Sequence, residues 1–324
     1  MFHKATAVLS TAAIFSGILT PRGMTAEQSQ KKAQPFGIGT RGGLGGNVLR
    51  VTNLNEQGPG SLREAVETKG PRIVVFEVGG VVDLDKKRLL IREPFLTIAG
   101  QTAPSPGITL IKAGVMIKTH DVLLQHLAIR PGTPKDVNPK GWATDALTTS
   151  AHREARGKVY NVVIDHCSAT WGSDEGMSVS GPRNARGDET THDVTFRHCI
   201  IAEGLWNATH RKGRHSRGSL VMDGCRRIAF VGNLFAHNNQ RHPLFKGGSS
   251  GLLLNNLIVN PGNRCIQMTS NGHGKHLGAP VTTVIGNVMA PGRNTRTGLF
   301  NGIGDMYARD NLILKKDGQP AKVK

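Results

Sequence analysis

The sequence predicts an all-β chain that winds into a solenoid of stacked parallel coils. Short runs of alternating, β-branched apolar residues recur along it, and each run is closed by Gly, Asn or Pro. An asparagine often follows the run, and the closest copies, Asn233 and Asn256, are 256 − 233 = 23 residues apart. Short strands with a minimum period of this size and variable insertions are typical of a solenoid, whose coils bury their faces against their neighbours.

The N-terminal residues 1–26 resemble a signal peptide. Lys4 precedes an apolar run over residues 5–19, and small residues follow up to Ala26. The run is too short to span a membrane, and a buried N-terminal helix is the alternative interpretation. We therefore expect a secreted protein, extracellular or periplasmic, with one domain over residues 27–324 and no membrane association.

A short helix is expected just after residue 60. Ser61 can act as its N-cap, and Glu64 lies three residues later, as in a capping box. Such an N-terminal capping helix would cover the open end of the solenoid, where strand edges are otherwise exposed. Runs starting at Leu96, Ile108 and Val122 continue the strand pattern less regularly, so the stack is expected to begin before residue 80.

The clearest repeats lie after Val159. We align them on a shared position that follows each strand, occupied by His166, His198, Asn233, Asn256, Asn287 and Asn311. Asparagine tolerates the left-handed backbone of a tight turn, and its amide can bond to its equivalents along a stack. The asparagines are therefore predicted to form a structural ladder with no catalytic role.

Four cysteines occur, Cys167, Cys199, Cys225 and Cys265. They show no CxxC spacing or metal-site pattern, and three of them follow His or Arg in similar strand contexts. Stacked, buried thiols are therefore favoured over a disulfide framework, although the sequence leaves their pairing open.

The chain is strongly basic. Its formal charge is 41 − 23 = +18, and removing Lys4 and Arg22 with the leader leaves +16. A positive field attracts polyanions of several kinds, but aromatic residues make up only 5% of the chain, which disfavours nucleic-acid binding by base stacking. We expect an acidic polysaccharide as the partner, no nucleic acid, and a monomeric protein.

Five motifs occur in the order found in the pectate lyases of polysaccharide lyase family 1, which the sequence resembles over roughly residues 36–315. They are Gly58-Pro-Gly-Ser-Leu-Arg-Glu-Ala, Leu96-Thr-Ile-Ala-Gly-Gln-Thr, Asp145-Ala-Leu, Val163-Ile-Asp-His-Cys-Ser and Arg241-His-Pro-Leu-Phe-Lys. The resemblance implies a single-stranded right-handed parallel β-helix. It also implies a Ca²⁺-dependent cleft in which an arginine removes the C5 proton of a galacturonate residue.

The resemblance also assigns individual residues. Asp145 and Asp174 match calcium aspartates, whereas the next family ligand position is occupied by Ser178, so Glu175 is expected to replace the missing carboxylate in part. Arg241 matches the base. Because the pKa of an arginine exceeds about 12, this base predicts an alkaline optimum.

Three further residues are expected to contact substrate carboxylates. Lys246 takes the place of a family arginine, and lysine lacks the bidentate fork of a guanidinium. Lys212 and His215 lie in a basic loop, residues 210–217, that matches a substrate-binding region of the family. An ordinary solvated loop is the alternative. Asp165 and His166 are interpreted as a scaffold pair.

Two other functions remain open. The fragment Gly272-His273-Gly274 occurs in polygalacturonases, which hydrolyse the same polymer with paired aspartates, but their accompanying motifs are absent. A non-catalytic β-helix that binds polysaccharide would show the same repeats. The coil that begins at Asp310 soon reaches Lys324, so a shortened chain or a missing capping segment is a further expectation.

Overall fold

The computed structural model describes residues 35–133, 141–185, 187–270, 275–315, 317–321 and 323. The predicted signal peptide and the segment Gly272–Gly274 lie outside these residues. Residues from Pro35 onward form one compact unit. Within the described part of the chain, no helix is both long enough and apolar enough to cross a membrane.

Strands dominate the described chain. In its first half they are β1 (Asn47–Val51), β2 (Arg72–Phe76), β3 (Gly80–Asp83), β4 (Leu89–Ile91), β5 (Leu96–Ala99), β6 (Ile108–Ile111), β7 (Val115–Ile117), β8 (Val122–Gln125), β9 (Leu127–Arg130), β10 (Leu147–Ser150), β11 (Val162–Asp165), β12 (Ser168–Thr170), β13 (Glu175–Ser180) and β14 (His192–Arg197). The remainder are β15 (Ile200–Ala202), β16 (Arg217–Val221), β17 (Arg226–Val231), β18 (Leu234–Ala236), β19 (Leu244–Lys246), β20 (Ser250–Leu254), β21 (Leu257–Val259), β22 (Ile266–Thr269), β23 (Val281–Ile285), β24 (Val288–Ala290), β25 (Phe300–Gly302), β26 (Asp305–Arg309), β27 (Leu312–Leu314) and β28 (Pro320–Ala321).

These strands form three sheets that run along the stack. Sheet A contains β1-β2-β5-β8-β11-β14-β17-β20-β23-β26, and sheet B contains β3-β6-β9-β12-β15-β18-β21-β24-β27-β28. Sheet C contains β4-β7-β10-β13-β16-β19-β22-β25. From β2 each coil contributes one strand to A, then B, then C, and neighbours pair in parallel except for β27 with β28. The predicted right-handed parallel β-helix is confirmed.

The interior is a stack of apolar layers. In sheet A, equivalent inward positions are fully buried and pair from coil to coil: Ile98, Leu124, Ile164, Phe196, Phe230, Leu253 and Val284. The rings of Phe196 and Phe230 stack with their centroids 5.0 Å apart. Each layer packs only on its neighbours, so the parallel register places equivalent residues of successive coils at the same edge of the sheet.

The predicted capping helix is present as α1 (Leu62–Glu67). The Ser61 hydroxyl accepts a hydrogen bond from the Glu64 N–H at 3.2 Å, while the Glu64 carboxylate accepts one from the Gly60 N–H at 2.7 Å. Leu62, Ala65 and Val66 are buried against the solenoid end. The described residues also contain four single-turn 3₁₀ helices, at Gly100–Thr102, Arg153–Ala155, Gly187–Glu189 and Lys275–Leu277.

The asparagine ladder is confirmed. The Asn233 amide donates to Asn256 Oδ1 at 2.9 Å, Asn256 donates to Asn287 at 2.8 Å, and Asn287 donates to Asn311 at 2.9 Å. Each of these oxygens also accepts the backbone N–H of the preceding asparagine in the stack. The ladder therefore satisfies buried backbone groups at the turn between sheets A and B.

The expected alignment of the histidines with this ladder was wrong by one residue. Arg197 pairs with Val231, so His198 lies opposite Gly232 and Cys199 lies opposite Asn233. His198 and Gly232 both have left-handed backbone, with φ of 52° and 63°. The turn thus places its left-handed residue one position before the inward-pointing ladder residue.

The cysteines are free and buried, as expected from their spacing. Cys199 continues the ladder position, since its N–H donates to Asn233 Oδ1 at 2.9 Å and its thiol donates to the Ile164 carbonyl at 3.6 Å. Burial raises the pKa of the Cys167, Cys225 and Cys265 thiols to about 12. These thiols are scaffold groups.

Candidate active site

The charged residues predicted to carry the chemistry meet at the amino-terminal ends of sheet C strands. Asp145 lies two residues before β10, Glu175 begins β13 and Arg241 lies three residues before β19. Because Leu147 pairs with Met177, the parallel register sets Asp145 opposite Glu175 on the next coil. The stacking of coils therefore brings residues far apart in sequence to one edge of the sheet.

Asp145 is a carboxylate held by hydroxyls. Its Oδ2 accepts hydrogen bonds from the hydroxyls of Thr148 and Ser178, and its Oδ1 accepts the Glu175 N–H at 3.0 Å. Burial, and after it the nearby charge of Asp174, raise the pKa of Asp145 to about 6. A cation bound beside Asp145 would reverse this shift.

Asp174 is supported by two stacked imidazoles. His215 Nε2 lies 2.7 Å from Asp174 Oδ1 and His210 Nε2 lies 3.5 Å from Oδ2, and the two ring centroids are 3.7 Å apart. Burial raises the pKa of Asp174, but the hydrogen bond and charge of His215 together with the charges of His210 and Arg241 outweigh it, so the pKa falls below its usual value. Asp174 is therefore ionised more readily than Asp145.

Glu175 and Arg241 form an ion pair through Glu175 Oε1 and Arg241 Nη1. Only 21% of the Arg241 side chain is exposed, and burial lowers its pKa while Asp174 and Asp145 oppose that shift. Its backbone N–H donates to Gln267 Oε1 at 2.8 Å and its φ is 68°, in the left-handed region. The guanidinium is thus directed at the carboxylates by a constrained backbone.

The three acidic side chains could hold a metal ion. One ligand oxygen from each of Asp145, Asp174 and Glu175 lies within 4.8 Å of the others. Ser178, at the position where the resemblance called for another carboxylate, supplies a hydroxyl bound to Asp145. Carboxylate and hydroxyl oxygens are hard donors of the kind that Ca²⁺ prefers.

Three curated proteins similar to this chain share the name probable pectate lyase C. The probable pectate lyase C of Aspergillus terreus is 33% identical over 291 residues, which cover 89% of this chain and 60% of that protein. Its namesake from Emericella nidulans is 34% identical over 79% of this chain and 53% of that protein. One from Aspergillus fumigatus is 32% identical over 96% of this chain and 66% of that protein.

The chain belongs to the pectate lyase family. It spans a little over half to about two thirds of the length of these relatives. No protein-family model matches it.

Solved structures of similar fold support the same architecture for this pectate lyase family member. The cedar pollen allergen Jun a 1 superposes with a TM-score of 0.64 at 18% identity, covering 90% of this chain and 88% of that one. Pectate lyase Bsp165PelA from Bacillus sp. N165, solved with trigalacturonate, superposes with a TM-score of 0.52 at 14% identity, covering 88% of each chain. At these identities the likeness concerns the fold.

The other three predicted residues of this family member occupy different positions. His215 joins the carboxylate cluster, but as a buried partner of Asp174. Lys246 ends β19 and pairs with the fully buried Asp223 at 2.9 Å. Lys212 is exposed in the basic loop, and its backbone N–H donates to His210 Nδ1 at 3.1 Å. Within the described residues, neither lysine contacts the carboxylate cluster.

Arg217 is a site residue that the sequence reasoning missed. It begins β16 directly opposite Glu175, and it forms a parallel bridge to Gln240 beside Arg241. Its Nε and Nη1 are buried without a hydrogen-bond partner in the described part of the chain, and burial lowers its pKa. The available signal was the coil register, which aligns Arg217 with Glu175.

His210 was also missed, and no local motif marked it. It reaches Asp174 because residues 205–216 fold back on themselves, where the Ser216 N–H donates to the Leu205 carbonyl and the His215 N–H donates to the Trp206 carbonyl. Arg241 of this family member also lines a cavity of about 470 Å³, which we call the cleft. Its lining includes Gln240, Arg264 and Gln267.

Proposed function

We propose that the protein is a secreted pectate lyase that cleaves (1,4)-α-D-galacturonan by calcium-dependent β-elimination. The observation that carries the proposal is the contact of Arg241 with a cluster of three carboxylates on one edge of sheet C. The relatives named pectate lyase over most of the chain favour the same chemistry. The basic surface suits an acidic polymer as substrate.

Calcium is the cofactor that best fits the cluster. Asp145, Asp174 and Glu175 would hold the ion, and the raised pKa of Asp145 reports a buried negative charge that a cation would stabilise. A bound Ca²⁺ would offset the charge of the substrate carboxylate and so acidify the neighbouring C–H bond.

Arg241 is proposed as the base. In β-elimination it takes the proton from C5, the C5–H electron pair forms the C4=C5 double bond, and the C4–O bond breaks as its oxygen takes up a proton from solvent water. The neutral form of the guanidine is needed for the first step, and burial favours that form. This requirement supports the expected alkaline optimum.

Arg217 is proposed to bind a substrate carboxylate. Its Nε and Nη1 have no hydrogen-bond partner among the described residues, and Arg217 begins the strand that lies between those of Glu175 and Arg241. A guanidinium can donate hydrogen bonds to two carboxylate oxygens at once. Lys246, Lys212 and His215 remain predicted contacts, and the pairing of Lys246 with Asp223 limits the charge that this lysine offers.

The test is ultraviolet absorbance of the conjugated 4,5-unsaturated product during incubation with polygalacturonate at alkaline pH. We expect a rise that requires calcium, stops with chelator and disappears in Arg241→Gln. New reducing ends without absorbance would establish a hydrolase instead. Polymer binding with neither signal would establish a non-catalytic polysaccharide-binding protein.

A further inference from the structure

A second cavity lies beside the carboxylate cleft, formed by the turns that lead from sheet B to sheet C. It has a volume of about 480 Å³, and its lining includes Trp206, Asn239, Asn263, Asn294 and Arg296. The two cavities are neighbours along the chain. Asn239 lines this cavity and the next residue, Gln240, lines the cleft, and the same holds for Asn263 and Arg264.

Two buried asparagines hold the wall of this cavity rigid. Asn238 Oδ1 accepts the Gly204 N–H at 3.0 Å, and its amide donates to the Ile201 carbonyl at 2.9 Å. Asn260 Oδ1 accepts the Asn294 N–H at 2.9 Å. Because these bonds tie successive turns together, the cavity is formed before any ligand enters.

Three other asparagines present unused polar groups. The side-chain amides of Asn239, Asn263 and Asn294 make no hydrogen bond to any described residue, although all three line the cavity. Each amide offers two donors and one acceptor oxygen. Three such groups around one cavity match a ligand that carries several hydroxyls.

The charge of this cavity differs from that of the cleft. Within the part of the chain that the structure describes, its lining contains no carboxylate and one arginine, Arg296, whose Nη1 already donates to the carbonyls of Arg293 and Thr295 at 3.1 Å. The cleft instead has two arginines in its lining, Arg241 and Arg264, and the guanidinium of Arg241 is paired with Glu175. A uronate is therefore favoured in the cleft, and an uncharged polyol in the second cavity.

An aromatic ring completes the second cavity. Trp206 is 44% exposed, and the Arg214 guanidinium lies 5.9 Å from the centroid of its ring. A sugar ring has C–H groups on its faces and hydroxyls on its rim, so it can pack on an indole while its rim bonds to amides. The lining offers both kinds of contact.

We propose that this cavity binds an uncharged saccharide unit next to the acidic chain in the cleft. That the cavity binds a neutral sugar is inferred from its lining residues alone. That an acidic chain lies beside this sugar rests on the proposed function. The site would let the protein distinguish a polymer that carries neutral sugars from a plain galacturonan.

Calorimetric titration of the full chain with galactotetraose, arabinotetraose and tetragalacturonate tests this proposal. We expect a neutral probe to bind and to change the tryptophan fluorescence. The double variant Asn263→Ala with Asn294→Ala loses two hydrogen bonds to the sugar, so its affinity for the neutral probe should fall about tenfold. Asn55→Ala is the matched control, since Asn55 is exposed near the capping helix, and it should leave the affinity unchanged.

Three results would overturn the proposal. The first is that neither neutral probe binds, and the second is that the double variant binds a neutral probe as tightly as the parent does. The third is that the double variant loses as much affinity for tetragalacturonate as for the neutral probe. The titration contains no reaction step. Failure of the absorbance assay with neutral binding retained would therefore overturn the lyase and leave the saccharide site standing.

Discussion

The guanidinium of Arg241 reaches across β16 to form an ion pair with the carboxylate of Glu175. The first residue of that intervening strand is Arg217, so three charged side chains stand in a row on one edge of sheet C. Glu175 also belongs to the carboxylate cluster. A cation held by the cluster and the guanidinium of Arg241 would therefore compete for the same carboxylate.

Replacing Arg241 separates its proposed role as base from its competition with the cation for Glu175. The variant Arg241→Gln removes the proposed base, and the lyase rate should fall at least about a hundredfold, as measured by product absorbance. Calcium binding, measured by calorimetry, should be at least as tight as before because Glu175 loses its competing partner. Arg50→Gln is the control, since it breaks an exposed Arg–Glu pair far from the site and should change neither quantity. A retained rate would remove Arg241 from the chemistry.

Calcium affinity should depend on Asp174. Asp174→Asn removes one of the three carboxylates and leaves its shape almost unchanged, so the affinity for Ca²⁺ should fall tenfold or more, a loss of at least about 1.4 kcal/mol. Calcium titration of the two proteins measures the difference. Glu154→Gln, which breaks an exposed pair with Lys118, serves as the control. Equal affinities of the Asp174 variant and the parent would place the ion elsewhere.

Arg217 should matter more for substrate binding than Lys212. A hydrogen bond to a charged group contributes about 1.5–3 kcal/mol, so Arg217→Ala should raise KM for polygalacturonate by roughly tenfold or more. Lys212→Ala should change KM less than about threefold, because surface charges contribute little. Thermal unfolding of both variants checks that they fold. The reverse order of effects would assign substrate binding to the basic loop.

Much of the fold could be predicted because a solenoid repeats its own local rules. The strand runs, the Ser61 cap and the asparagine ladder each depend on residues close in sequence or one coil away. The ladder was nevertheless misaligned at His166 and His198. A histidine or a glycine can occupy the left-handed turn position, and the sequence does not show which residue points inward.

The candidate site was harder to predict because it depends on loops of variable length. Asp145, Asp174 and Arg241 could be proposed from motifs, and coil stacking brings them together. The contact of His210 with Asp174 depends on how residues 205–216 fold back on themselves, which no local pattern encodes. The basic loop predicted Lys212 as a substrate contact and gave no role to Arg217, which only the register with Glu175 marks as a site residue.

His242 should make the protein less stable in acid. Burial lowers the pKa of His242 to about 4 from 6.5. Between these values the unfolded chain binds a proton that the folded protein does not, so the free energy of unfolding falls as pH drops from 6.5 to 4, by about 3 kcal/mol in total. Urea unfolding at several pH values measures this slope. His242→Gln should flatten it, whereas the exposed control His276→Gln should not, and an unchanged slope in the His242 variant would contradict the assignment.

Stability should also depend on each rung of the asparagine ladder. Asn256 Oδ1 accepts both the backbone N–H and the side-chain amide of Asn233, at 2.9 Å each, and its own amide donates to the Phe230 carbonyl at 2.9 Å. Asn256→Ala would leave these buried groups without partners, so it should cost about 2–4 kcal/mol of unfolding free energy. The exposed Asn55→Ala should stay within about 0.5 kcal/mol. Urea unfolding of the two variants decides the matter, because similar midpoints would mean that water replaces the missing rung and that the ladder sets the turn geometry without stabilising the stack.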